Sequence, residues 1–253
     1  MDTFQAIIIG IIEGFTEFLP ISSTGHMIVA SKFLGVSESA VNDAYMVVIQ
    51  FAAILAVLLL YREKINLKEI DLWSKIFVAF LPLAIVGFLL KDWIETIFSV
   101  KVVATMFIVG GVIFLIVEYF YRDDKATAKE LEEVSWTQSL WIGFGQIFSL
   151  IPGTSRAGST IIAGMLSGVD RKTSTEFSFL LAIPVMMAVS GYDLLKHYDE
   201  FVGANMSAFV IGFIVAFFVA VLTIKLLIVF LQRFTFVAFG IYRILFGLFL
   251  LMM

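Results

Sequence analysis

Cysteine is absent from the 253 residues, which removes disulfides, thiolate zinc sites, iron–sulfur clusters and a cysteine nucleophile. Histidine occurs only as His26 and His197, too few for a His-rich transition-metal site, and His197 falls in an external loop where no role is expected of it. Charge is also scarce. Asp, Glu, Lys and Arg make up 15% of the chain, where soluble domains carry about a quarter. Basic charge in particular is short: 17 Lys and Arg against 21 Asp and Glu leave a net −4 and no basic stripe to neutralise phosphates, so nucleic acid is not an expected partner. What the chain has instead is apolar surface, with 60% hydrophobic residues, 27 Phe and a mean hydropathy of +1.01. The polar side chains could not cover a water-facing exterior, which excludes a soluble enzyme and leaves an all-α integral membrane protein in contact with lipid.

A bilayer core of about 30 Å takes roughly 20 apolar residues per helix, fewer where the flanks snorkel. Six full transmembrane helices are expected, over about Ala44 to Tyr61, Ile76 to Leu90, Val102 to Tyr121, Phe177 to Tyr192, Met206 to Ile224 and Phe234 to Leu251. Two further apolar regions are each broken by a polar, Pro-containing stretch. Phe4 to Leu34 is interrupted at Leu19-Pro20-Ile21-Ser22-Ser23-Thr24-Gly25, and Ser139 to Gly168 at Ile151-Pro152-Gly153-Thr154-Ser155-Arg156-Ala157-Gly158. The halves are too short to span. Non-helical backbone at membrane depth is tolerated only inside protein or beside a wet cavity, so each region is read as a re-entrant helix pair meeting at a loop. The amino-terminal region lacks a basic segment and carries Glu13 and Glu17, which speaks against a signal peptide.

Threading these elements puts eleven Lys and Arg on one side: Arg62, Lys64, Lys68, Lys75, Arg122, Lys125, Lys129, Arg171, Lys172, Lys225 and Arg233. Four fall on the other, Lys32, Lys91, Lys101 and Lys196. The positive-inside rule then sets both termini outside. The broken regions resemble one another as Glu13, Leu19-Pro20, Ser23 and Gly25 against Gln146, Ile151-Pro152, Ser155 and Gly158, an offset of 132 to 133 with one gap. Three crossings between them invert the second region relative to the first. The expected organisation is a single membrane domain over 1–253, an inverted-topology repeat with repeat one about 1–121, repeat two about 135–253, and a solvated cytoplasmic linker of about 122–134. The loop tips would then converge on one composite cavity near the midplane.

Glu13 and Glu17 are four apart and share a helical face. Two like charges in apolar surroundings require that one be protonated or that a cation compensate them. A hard divalent ion with oxygen ligands, Mg²⁺ or Ca²⁺, suits the pair. Ser22, Ser23 and Thr24 stand where a second half-helix begins, and a hydroxyl there either caps free N–H groups or joins a helix-terminal phosphate site. His26, three positions after Ser23, could activate it or protonate a leaving group, or be a structural hydrogen-bonded histidine. At the second tip Arg156 needs an anion, either phosphate oxygens or one of Glu13 and Glu17. Gly153 and Gly158 would let backbone approach a ligand, and Thr154, Ser155 and Thr160 could donate to it. Arg243, deep in the last span, is expected to pair with Glu118 or Glu176.

Glu13-x-x-x-Glu17 followed by Phe18-Leu19-Pro20-Ile21-Ser22-Ser23-Thr24-Gly25-His26, with Pro152-Gly153-x-Ser155-Arg156 in the second half, resembles the undecaprenyl-diphosphate phosphatase family, the bacitracin-resistance proteins. The resemblance covers almost the whole chain in the right order. It implies removal of the terminal phosphate from a C55 polyprenyl diphosphate, recycling of that carrier for cell-wall synthesis, divalent-metal dependence, a bacterial inner-membrane location with an outward-facing site, and a homodimer. Carried over by position, the acidic pair falls on Glu13 and Glu17, the serine on Ser23, the histidine on His26, and the second-motif pair on Ser155 and Arg156, with its terminal threonine at Thr160. One departure is Ala157, where the family usually has serine. Of different class is a polyprenyl-phosphate flippase or anion transporter built on the same repeat. The Ser-His cluster beside paired glutamates favours hydrolysis.

Overall fold

In the computed structural model the described residues are 1–37, 39–196 and 205–253, so His197 lies outside them. All regular structure among them is helical: α1 (Thr3–Thr16), α2 (Ser23–Leu34), α3 (Ala40–Leu60), α4 (Ile70–Leu89), α5 (Lys91–Ile97), α6 (Val100–Phe120), α7 (Trp136–Ile147), α8 (Arg156–Leu166), α9 (Arg171–Lys196), α10 (Met206–Leu231) and α11 (Val237–Met252), with short 3₁₀ turns between. Five of these, α3, α4, α6, α9 and α10, are long and apolar enough to cross a membrane. The chain is thus a multi-pass membrane protein. The sixth expected span is α11, which is apolar but has only 16 residues, about 24 Å of helix at the α-helical rise. It lies along α6, its main packing partner.

The half-helices start and stop for identifiable reasons. Asp2 and Gln5 form a reciprocal capping box at the start of α1, and Ser135 and Gln138 do the same for α7, each pair satisfying N–H groups that a helix start leaves free. Close approach follows through small residues. A Cβ on Gly10 of α1 would lie 2.7 Å from the Gly212 carbonyl oxygen of α10, and one on Gly143 of α7 would lie 2.6 Å from the Ala79 oxygen of α4. Both helices therefore seat backbone against backbone. Helices α1 and α7 end before the polar loops, and Ser22 and Ser155 stand at the N-cap positions of α2 and α8. These two are the only non-glycine residues with positive φ among the described residues, at 66° and 77°.

Each of these features recurs 133 positions later: Asp2 and Ser135, Gly10 and Gly143, Ser22 and Ser155. The helix contacts follow the same pattern, with α1 on α10 and α7 on α4, α3 against α9, and α6 against α11. The resulting correspondence of loops needs no gap. Ser22, not Ser23, stands opposite Ser155, and Ser23 stands opposite Arg156.

The charged stretch after α6 is pinned at both ends. Lys64 and Glu132 form an ion pair, Ala128, Leu131 and Val134 are buried, and Thr127 and Ala128 donate to the Gly168 carbonyl. Its alternation of exposed charge and buried aliphatic side chains holds it against the turn between α8 and α9.

Candidate active site

The loop after α1 carries Glu17 and Phe18 before it turns at Pro20, and the loop after α7 carries Gly153 and Thr154. Sequence separates the tips by well over a hundred residues, yet one carboxylate joins them. Ser23, the first residue of α2, donates its hydroxyl to Glu17 Oε2 at 2.8 Å. Arg156, the first residue of α8, places Nη2 3.2 Å from Glu17 Oε1, with both side chains only 11% exposed. Of the two partners the sequence left open for Arg156 in the absence of phosphate, Glu17 is the one it meets.

The guanidinium is held on its other side by the chain of α9. Nη1 donates to the Ser178 carbonyl at 3.0 Å, Met186 Sδ lies 4.0 Å from Nη2, and the Phe18 ring lies 6.0 Å from Cζ. Arg156 Nε is buried without a hydrogen-bond partner. Thr160 supports this wall from behind: it is fully buried, and its hydroxyl donates to Ser178 Oγ at 2.7 Å. Ser178 and Met186 were not singled out from the sequence, because a serine carbonyl or a methionine in an apolar span carries no recognisable mark.

Glu13 is 1% exposed, one turn before Glu17, and its Oε1 has no hydrogen-bond partner. Among the described residues no cluster of three or more His, Asp or Glu side chains stands ready for a metal. The oxygen donors present are those of Glu13 and Glu17, the latter shared with Ser23 and Arg156. A hard cation would need oxygen donors of this kind, and Glu13 and Glu17 are the residues here that could supply them.

His26 is one turn along α2 from Ser23, but its bonds run elsewhere. Nδ1 lies 2.8 Å from the Ser22 carbonyl, which can only accept, so Nδ1 carries the proton. In the neutral ring Nε2 then accepts from the Tyr242 hydroxyl at 2.6 Å, and the ring stacks on Phe246 at 4.3 Å. Tyr242 was not foreseen, since its partner is more than two hundred residues away.

The remaining expected residues divide between support and lining. Ser22 is buried at the strained turn, and Ser155 caps α8 by accepting from Gly158 N–H at 3.1 Å. Gly153 has φ 91°, and a Cβ there would lie 2.5 Å from the Val103 carbonyl oxygen of α6. The close approach it permits is to a helix of this chain. Thr154 Oγ1 is buried without a partner. Arg243 pairs with neither Glu118 nor Glu176. Glu118 is taken by Arg171, whose Nη2 and Nε donate to it at 2.6 and 2.9 Å, and by the Phe236 N–H. Arg243 bonds backbone carbonyls instead.

With this geometry in view, comparison with known proteins is decisive. A family model described as bacitracin resistance protein BacA matches residues 6–249. The chain belongs to the BacA family. An undecaprenyl-diphosphatase of Sulfurovum sp. (strain NBC37-1) is 73% identical over 252 residues, covering 100% of this chain and 99% of that protein. Undecaprenyl-diphosphatases of Sulfurimonas denitrificans and Methanococcus aeolicus are 60% and 51% identical, again over 100% of this chain and 99% and 98% of theirs. Within this BacA-family chain the two sequence motifs are the two loops that meet at Glu17.

Proposed function

We propose that this chain is a membrane-embedded phosphatase that hydrolyses undecaprenyl diphosphate to undecaprenyl phosphate and orthophosphate, returning the lipid carrier to cell-wall synthesis and supporting bacitracin resistance. The observation that carries the reading is the Glu17 carboxylate, gripped by Ser23 from one loop and Arg156 from the other, in a chain that matches undecaprenyl-diphosphatases along its whole length.

Phosphoryl transfer asks mostly for positioning and charge stabilisation. The Arg156 fork suits the oxygens of the terminal phosphate, and its unpartnered Nε gives it a donor to spare. Ser23 Oγ is the nucleophile, and the group in reach to take its proton is Glu17, not His26. The Ser23 Oγ–P bond forms as the bridging P–O bond to undecaprenyl phosphate breaks. Water then attacks the phosphoserine, orthophosphate leaves, and Ser23 regains its proton. His26 braces the turn by holding the Ser22 carbonyl. Glu13 and Glu17 would hold Mg²⁺ or Ca²⁺, which when bound neutralises charge on the diphosphate. Ser22, Ser155 and Thr160 shape the loop tips, with Thr160 acting through Ser178.

The recurrence at 133 positions supports an inverted-topology repeat in which α1–α2 and α7–α8 are re-entrant pairs and α11 is a sixth, shorter crossing. The excess of Lys and Arg on one side supports an inner-membrane orientation with both termini and the site outside. A homodimer is the proposed assembly. The same repeat would serve a polyprenyl-phosphate flippase or anion transporter, and one assay separates the readings. Purified protein in detergent, given a C55 or shorter prenyl diphosphate and Mg²⁺ or Ca²⁺, should release orthophosphate without any gradient, and Arg156→Ala should release it at least about 100-fold more slowly. No release by the wild type, or equal release by Arg156→Ala, would refute the proposal.

A further inference from the structure

Arg243 is 0% exposed in the middle of α11, and among the described residues it forms no ion pair. Its charge is met by backbone instead. Nη1 donates to the Pro20 carbonyl at 3.1 Å, while Nη2 lies 3.0 Å from Met106 O, 3.1 Å from Gly153 O and 3.0 Å from Thr154 O. The Phe107 ring lies 5.2 Å from Cζ. One side chain thus ties the first loop, through Pro20, to the second, through Gly153 and Thr154. The room for it is cut into α6: a Cβ on Gly110 would sit 2.3 Å from Nη2.

The two loops are joined in two places, and the ties differ in kind. At Glu17 the tie is made by Arg156, the group assigned above to the phosphate. A diphosphate that takes over this guanidinium weakens the tie at the moment when spacing matters most. Arg243 bonds carbonyls for which an anion does not compete, so its tie survives substrate binding. It also orients the chain. The peptide bonds of the described residues are trans, and a carbonyl held toward Arg243 turns the following N–H the opposite way. For Thr154 that is the Ser155 N–H, at the N-terminus of α8, where free N–H groups favour an anion.

We infer that Arg243 is a positioning residue for phosphoryl transfer: by clamping carbonyls of both loops it keeps Ser23 and Arg156 at a fixed separation while the substrate is bound. This rests on the reading of the two loops as the diphosphate site. A lysine cannot replace it, because a compact ammonium cannot reach carbonyls on both sides as the planar fork does. Misplacement of reacting groups lowers kcat more than it raises KM.

The test uses purified full-length Arg243→Lys and Gly110→Ala. The second displaces the guanidinium without removing its charge. Phosphate release from a prenyl diphosphate, thermal unfolding in detergent and Arg156→Ala in the same assay complete the set. The expected result is kcat at least about tenfold lower in both variants with KM within about threefold of wild type, and unfolding temperatures close to wild type. If either variant keeps its fold and a wild-type kcat, the inference fails. Loss of activity that tracks loss of fold in both variants also overturns it, since Arg243 would then be a packing residue. Should Arg243→Lys alone fail to fold, kcat and KM of Gly110→Ala decide. An active Arg156→Ala would instead overturn the site itself, whereas an inactive Arg156→Ala beside a fully active Arg243→Lys refutes only the role of Arg243.

Discussion

Glu17 accepts from both loops, and among the described residues no other carboxylate near the tips does so. Replacing it with glutamine keeps the shape, removes the base proposed for Ser23 and leaves Arg156 without its counter-charge. Glu17→Gln should therefore lose about 10²–10⁴-fold in kcat, the usual range for a positioned base, read by phosphate release. Retained turnover would remove Glu17 from the reaction. His26 is different in kind: both ring nitrogens are engaged away from Ser23. His26→Gln and Tyr242→Phe are expected to lose similar, smaller factors, about tenfold, because both loosen the same brace. A pH–rate profile that loses a limb in His26→Gln would instead make His26 a proton-transfer group. At this scale the sequence was informative wherever a residue type is costly in a membrane: Glu17, Arg156 and Ser23 were singled out and meet. Arg243 was equally conspicuous, yet its partners were misjudged, because carbonyl acceptors leave no trace in side-chain identity. Gly110, whose missing side chain makes its room, was not noticed at all.

The helices themselves were legible from apolar run length, since a bilayer demands it, and five of the expected spans coincide with long apolar helices. The polar Pro-containing breaks also fell where the half-helices are interrupted. The register between them was not legible. Matching Leu19-Pro20 to Ile151-Pro152 required a gap, whereas the backbone equates Ser22 with Ser155, because positive φ is a property of the turn that residue identity records only weakly. That conformation is testable. Glycine at either serine should leave stability within about 1 kcal/mol, while Ser22→Val should cost about 1–3 kcal/mol, the strain of a β-branched residue held at positive φ, measured by unfolding in detergent. Equal stability of the Gly and Val variants would contradict the turn. Helix seating gives a second comparison. A Cβ on Gly14 would lie 2.5 Å from the Ala216 oxygen of α10, whereas one on Gly191 meets nothing within 4 Å among the described residues. Gly14→Ala should lower stability by about 1–3 kcal/mol and Gly191→Ala should raise it by up to about 1 kcal/mol. The reverse order would argue against the α1–α10 contact.

For the whole molecule, the pairing of elements 133 positions apart sets two unlike tips against each other. Ser23 and Arg156 occupy equivalent places at the starts of α2 and α8, so one supplies a hydroxyl where the other supplies a cation, and Glu17 receives both. The account requires that they act on one bound diphosphate. A double-mutant cycle on kcat/KM for orthophosphate release, with wild type, Ser23→Ala, Arg156→Ala and the double variant, measures this directly. The expected result is strong non-additivity: the double variant should be little worse than the poorer single, with a coupling of at least about 1 kcal/mol. Losses that simply multiply would mean that the two loops work independently, and the single composite site would be wrong.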